Sequence, residues 1–317
     1  MSRRAKLRCA VPTALVAVVA AFAPAANAQL AVDYSLPKAL AAWAANPNGS
    51  PPGANDWSCR PSSLHPYPVI LVHGTFENQR FNWNALAPLL KNAGYCVFSF
   101  NYGATQGTQL TGGFANGLAA VRDSARQLAA FVERVRAATG AAEVDIVGHS
   151  QGGMMPRYYT NKLGGASKVR ALVGLSPSNH GTTLSGLTEF ARLLGPIGSA
   201  AVQLVTSFCP ACGDQIRGSA FMQELNAGGD TVAGVAYTVI QTKYDEVVTP
   251  YDSAFLTPAA SSHQVRNILV QNGCPLDLSE HLAIPFDRRA LAYVLNALDP
   301  AHPRPVPCVP VAPLIGG

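Results

Sequence analysis

Val144-Asp145-Ile146-Val147-Gly148-His149-Ser150-Gln151-Gly152, running on into Gly153-Met154-Met155-Pro156-Arg157-Tyr158-Tyr159, decides the fold. A largely apolar run enters a Gly-x-Ser-x-Gly and leaves into a helix-compatible stretch, so the order is strand, sharp turn, helix. In so tight a turn, side chains at 148 and 152 would collide with the neighbouring strand and helix. Glycine removes them, and the serine between is held in a strained backbone conformation. Its hydroxyl then stands at the carboxyl edge of a sheet, with the N–H groups that follow aimed at the same point.

Outward from that turn, strand and helix alternate. Pro68 to Val72 reads as the first buried strand and ends in His73-Gly74-Thr75. A helix is expected around 82–92 and a second apolar strand over Tyr95–Phe100. A glycine-rich loop covers 103–116. The strongest helix follows at about 117–138, where Leu118, Val121, Ala125, Leu128, Val132 and Val135 form one stripe. The strand of the turn occupies 143–147. Further strands are expected at Val169–Leu175, Tyr237–Thr242 and Val265–Val270, with a last helix at 287–298. This alternation predicts an α/β fold, a mostly parallel central sheet with helices on both faces. Two stretches break the rhythm. Residues 29–66 read as an irregular lead-in, and 182–233 as a helical cap or lid inserted over the sheet edge. The tail, 299–317, carries six prolines and no pattern.

Residues 1–28 have the form of an export signal. Arg3, Arg4, Lys6 and Arg8 precede a short apolar run, and Ala26-Asn27-Ala28 offers a cleavage site. The run is too short for an ordinary membrane span, so no transmembrane anchor is expected after cleavage. The formal charge of +5 comes largely from this segment, because it holds four of the 23 basic residues and none of the 18 acidic ones. What remains is 19 basic against 18 acidic side chains, which gives no electrostatic case for nucleic acid. Of seven cysteines, Cys9 leaves with the signal. The even set that remains predicts disulfides in an exported protein, paired as sequence neighbours: Cys59–Cys96, Cys209–Cys212 and Cys274–Cys308. No His/Cys set completes a zinc site, and no acidic cluster demands calcium; neither metal nor cofactor is expected.

A serine hydroxyl is a weak nucleophile. It needs a base within hydrogen-bond reach, and the base needs an orienting acid. After a strand-turn-helix serine of this kind the partners follow as acid, then histidine. Asp245 stands at the first polar turn after the strand ending at Thr242, with Glu246 and then Asp252 as rivals. His281, after the last strand and ahead of the last helix, is the expected base. The other six histidines are read as structural, His180 being the one placed where it could also line the pocket. A negative oxygen formed on attack needs N–H donors; Gln151, next after the serine, and Thr75, in the turn after the first strand, are the expected pair. The Thr75 hydroxyl is expected to add a third bond.

Val69-Ile-Leu-Val-His-Gly-Thr75, Gly148-His-Ser-Gln-Gly152, Ser176-Pro-Ser-Asn-His-Gly-Thr-Thr183, Tyr244-Asp-Glu-Val-Val-Thr-Pro250 and His281 together resemble the secreted bacterial triacylglycerol lipases of the α/β-hydrolase superfamily. They are similar, more distantly, to the yeast lipase B type. The resemblance runs from about residue 59 to 300. It implies a secreted serine lipase or esterase with Ser150, Asp245 and His281 as triad and Thr75 and Gln151 as oxyanion hole. The expected partner is an ester or lipid substrate, met at a lipid–water interface, and the protein is expected to be a monomer. Cutinase-like or polyester hydrolysis, phospholipase or acyltransferase chemistry on the same triad, a peptidase, and a non-catalytic binding protein on the same scaffold are the alternatives.

Overall fold

The computed structural model describes residues 29–183, 208–261 and 264–317. The expected export signal at 1–28 lies outside them. Six strands form one parallel sheet: β1 (Val69–Val72), β2 (Val97–Ser99), β3 (Val144–His149), β4 (Val169–Leu175), β5 (Ala236–Gln241) and β6 (Val265–Leu269), in the order β2-β1-β3-β4-β5-β6. Every expected strand is present, β2 shorter than its apolar run. Successive side chains of a strand point to opposite faces, and β1 divides accordingly. Ile70 and Val72 join one core, Val69 and Leu71 the other.

Helices cover both faces. On one lie α5 (Val121–Thr139) and α6 (Gln151–Lys162), and the stripe Val121, Ala125, Leu128, Val132, Val135 is fully buried against Ile70, Phe98 and Ile146. Gly140, at φ 76°, ends α5 in the left-handed conformation that favours glycine. On the other face, α3 (Leu86–Asn92) and α9 (Arg288–Leu298) pack on Val69, Leu71, Val147 and Val173.

The sequence reading departs from the structure in four places. The lead-in is not all irregular: α1 (Leu36–Ala45) starts at Ser35, whose side chain accepts the Lys38 N–H, with proline in its first turn. The expected helix at 82–92 is two pieces, α2 (Gln79–Asn82) and α3, because Asn78 caps a first short turn. The glycine-rich loop contains α4 (Gln106–Leu110), held by a reciprocal cap between Thr105 and Thr108. Finally, the region 182–233 is not simply laid over the sheet edge. Residues 184–207 lie outside the described ones, but the remainder, with α7 (Pro210–Asp214) and α8 (Ala220–Asn226), is built into the core. Cys209, Ala211, Cys212, Phe221, Met222 and Leu225 are buried with α5 and α6.

Arg157, wholly buried in α6, holds that segment down. Its guanidinium donates to Asp230 O at 3.0 Å, Asn179 O at 2.9 Å and Asn226 Oδ1 at 2.8 Å. Three disulfides join Cys59–Cys96, Cys209–Cys212 and Cys274–Cys308. The last ties the tail to the loop after β6. Among the described residues, no helix is long and apolar enough to cross a membrane, and no group of His, Cys, Asp and Glu could hold a metal ion.

Candidate active site

Ser150 sits between β3 and α6 with φ 54° and ψ −123°, a strained conformation for a residue with a side chain. Its glycine neighbours are sterically required. A Cβ at Gly148 would stand 1.8 Å from Gly152 O, and one at Gly152 would stand 2.0 Å from Val72 O. Backbone on all sides leaves nothing to move aside. The turn is anchored by Ser150 N–H donating to Leu175 O at 2.9 Å.

Asp245 and His281 come from the loops after β5 and β6. His281 Nδ1 lies 3.0 Å from each carboxylate oxygen of Asp245. Asp245 Oδ1 also accepts the N–H groups of Val247 at 3.0 Å and Val248 at 2.7 Å, so its own loop fixes the carboxylate. The two loops are laced together by Thr242, whose hydroxyl donates to Ser279 O at 2.6 Å and accepts from Gln271 Nε2 at 2.9 Å. All three expected residues are nearly closed to solvent: Ser150 is 7%, Asp245 6% and His281 1% exposed. Ser150 and His281 line one pocket with Thr75, Glu77, Gln215 and Val248.

Burial alone would push the His281 imidazole down. The Asp245 charge and hydrogen bond, with smaller help from Glu246 and Glu77, instead lift it to about 9. Glu246 lies beside this pair; burial, then the Glu280 charge, raise it to about 7. Of the three acids weighed from the sequence, Asp245 is hydrogen-bonded to His281 Nδ1.

The loop after β1 brings Thr75 to the same pocket, but its hydroxyl is occupied. Thr75 Oγ1 donates to Gln151 Oε1 at 2.8 Å and accepts from Gln215 Nε2 at 2.9 Å. The hydroxyl expected to add a third bond is thus engaged in a brace within the protein. Gln215 also donates to Gln151 Oε1 at 3.0 Å and accepts from Ser178 Oγ at 2.9 Å. Gln151 in turn donates to Tyr102 OH at 3.3 Å. Sequence reasoning missed Gln215 and Tyr102, because a lone polar residue far along the chain carries no pattern. His180, a possible pocket residue by sequence, instead bridges Ser253 O and Asp230 Oδ1, each at 2.9 Å.

A parallel sheet whose central strand ends in a strained serine, faced by an acid–histidine pair from later loops, is the α/β-hydrolase arrangement. Solved structures with this fold include lipase B of Aspergillus fumigatus and the mature form of a Bacillus licheniformis lipase. The first gives a TM-score of 0.61 and 22% identity, covering 81% of this chain and 57% of that one. The second gives 0.54 and 15%, covering 79% and 99%. Within that class, residues 66–267, more than half of the chain, match the class 2 lipase family, and the protein belongs to it. A triacylglycerol lipase of Pseudarthrobacter phenanthrenivorans is 36% identical over 97 residues, which is 29% of this chain and 27% of that protein. One of Pseudomonas fragi is 27% identical over 147 residues, 45% of each chain. The chain thus spans less than half the length of these curated relatives.

Proposed function

We propose that this protein is a secreted serine lipase or esterase that hydrolyses carboxylic esters, acylglycerols among them, through an acyl-enzyme. Residues from about 29 onward act as one catalytic domain, with the buried segment 208–233 as a wall of its pocket and 299–317 as a pinned tail. The observation that carries the reading is the pocket shared by Ser150 and His281, with His281 Nδ1 held 3.0 Å from Asp245. Family membership supports it, and the paired cysteines suit an exported protein.

In this reading Ser150 Oγ attacks the ester carbonyl while His281 takes its proton. Asp245 stays ionised and fixes the imidazole in the tautomer with hydrogen on Nδ1. The N–H groups of Thr75 and Gln151 receive the oxyanion; each such donor is typically worth about 2.7–4 kcal/mol in the transition state. His281 returns its proton to the departing alcohol. Water then repeats the sequence and frees the acid.

Hydrolysis of p-nitrophenyl esters of increasing acyl length, with Ser150→Ala run in parallel, tests this. Activity that persists to long chains and vanishes in the variant supports a lipase; activity confined to short chains supports an esterase with a narrow pocket. A variant as active as the wild type overturns the assignment of Ser150. An inert wild type that also fails to react with a fluorophosphonate supports the binding-protein alternative.

A further inference from the structure

Beneath the Asp245–His281 pair lies a second buried acid–histidine contact. His149 immediately precedes Ser150, and its Nδ1 is 3.0 Å from Glu77 Oε2. Two lone pairs cannot face each other at that distance, so one proton lies between them. The other ring nitrogen, Nε2, is 2.9 Å from the main-chain oxygen of His281. A carbonyl oxygen only accepts, so Nε2 carries hydrogen and donates to it. The His149 and His281 rings sit 4.8 Å apart, centroid to centroid.

Glu77 reaches further. The same Oε2 accepts the Gly74 N–H at 2.9 Å, and Asn82 Oδ1 accepts that N–H as well, at 3.1 Å. Gly74 immediately precedes Thr75. A Cβ at position 74 would stand 2.7 Å from Glu77 Oε2, so the glycine is what admits the carboxylate. The path Gly74, Glu77, His149, His281 therefore ties together the loops after β1, β3 and β6. Those are the three loops that carry Thr75, Ser150 and His281.

We propose that Glu77 and His149 form a positioning pair that holds the His281 main chain and the Gly74–Thr75 turn in register around Ser150. Nothing in the proposed chemistry uses either side chain, yet both are almost wholly buried at its centre, Glu77 at 4% exposure and His149 at none. Burial pushes the Glu77 carboxyl up, but His149, through charge and hydrogen bond, outweighs it, and Glu77 is held below the usual carboxylate range. This is the behaviour of an ionised acid with a dedicated partner. A pair that only filled space would be matched by an apolar couple, whereas buried polar groups that link three loops fix their mutual geometry.

The inference rests on the serine-hydrolase reading, and the experiment separates the two. Fluorophosphonate labelling of the wild type at Ser150 tests that reading alone. Given labelling, Glu77→Gln, His149→Gln and the double variant are compared by steady-state kinetics. A positioning role predicts a roughly ten- to hundredfold fall in kcat with KM little changed, since small misplacements of reacting groups act on that scale. It also predicts that the double variant is no worse than the poorer single one, because the two act as a unit. The pH profile supplies a readout that loss of packing would not move. His281 is faced by Asp245 and Glu246 from the loop after β5, by Glu77 from the loop after β1 and by His149 from β3. The Glu77 charge favours the protonated form of His281, so E77Q moves the acid limb of kcat/KM to lower pH. A kcat within twofold of wild type in E77Q, or losses that multiply in the double variant, overturns the proposal. Should the variants fail to fold, NMR of the wild type decides. A slowly exchanging, downfield proton on the His149–Glu77 contact supports the pair, and its absence overturns it.

Discussion

The side-chain nitrogen of Gln215 lies 2.9 Å from Thr75 Oγ1, across 140 residues of sequence. The same nitrogen lies 3.0 Å from Gln151 Oε1, so one amide from the segment expected as a cap braces both proposed oxyanion donors. Gln215→Leu keeps the approximate shape and removes the donor. The expected result is a fall in kcat of about tenfold, the scale of one ordinary hydrogen bond at about 1–1.5 kcal/mol, with KM nearly unchanged. A change confined to KM would show that Gln215 shapes the pocket wall instead.

Acid should silence the enzyme well above the usual histidine range. His281 is lifted to about 9 mainly by Asp245, against the pull of burial, and a protonated imidazole cannot take the Ser150 proton. On this basis kcat/KM climbs about tenfold per pH unit and levels off near 9. Asp245→Asn removes the main lift, so the limb moves to lower pH while kcat falls by about 10⁴-fold, as loss of an orienting carboxylate does elsewhere. A wild-type profile already flat from pH 7 would contradict the assignment. The same shift bears on stability. A histidine raised in the folded state contributes stability that is complete below its unfolded value of 6.5 and is lost as pH rises through about 9.

Two glycines should resist even alanine. At Gly148 and Gly152 a Cβ would meet backbone oxygen at 1.8 and 2.0 Å, so each Ala variant must distort the turn or fail to fold. The expected cost exceeds the ~1–3 kcal/mol of ordinary overpacking. Gly140→Ala is the control. Its φ of 76° strains a side chain, but nothing stands within 4 Å, and a loss of about 1 kcal/mol is expected in denaturant melts.

Asp287 caps α9 by accepting the Arg289 N–H at 2.8 Å, but burial, and then the nearby Asp277 carboxyl, push its own carboxyl up to about 8. An acid raised in the folded state favours folding while protonated in both states. That contribution is lost as pH rises from the unfolded value of 3.8 through about 8. Asp287→Asn keeps an equally good cap and removes the titration. Its melting temperature should exceed that of the wild type at pH 8 by roughly 2–4 °C per kcal/mol recovered, and the gap should narrow toward pH 4. Equal slopes in the two proteins would exclude Asp287 as the cause.

The sheet was legible because its central strands are largely apolar and α5 keeps one buried stripe from Val121 to Val135. The candidate site was legible where a local pattern marks it: the glycines around Ser150, Asp245 just past a strand end, and His281 just past the last strand, the last two brought within hydrogen-bond distance. It was opaque where the partners are distant in sequence and individually ordinary. Gln215, Tyr102, Glu77 and Asn82 earn their positions through hydrogen bonds made only after folding. The helix α1 had a readable start in Ser35 and Pro37, but its short apolar face sits in a stretch dominated by loop-forming residues. Two of the paired cysteines, Cys209 and Cys212, marked a segment whose burial no periodicity announced.

That buried segment constrains how the pocket could diversify. Residues 208–233 supply Gln215 to the brace on Thr75 and Gln151, Phe221 and Leu225 to the core, and Asp230 and Asn226 to Arg157. A chimaera that exchanged this stretch wholesale with a relative, in search of new substrate range, would remove a structural wall together with the specificity it was meant to change. Successful grafts would keep Arg157 and its partners, the Cys209–Cys212 link and Gln215 as fixed points and vary only the surface between them.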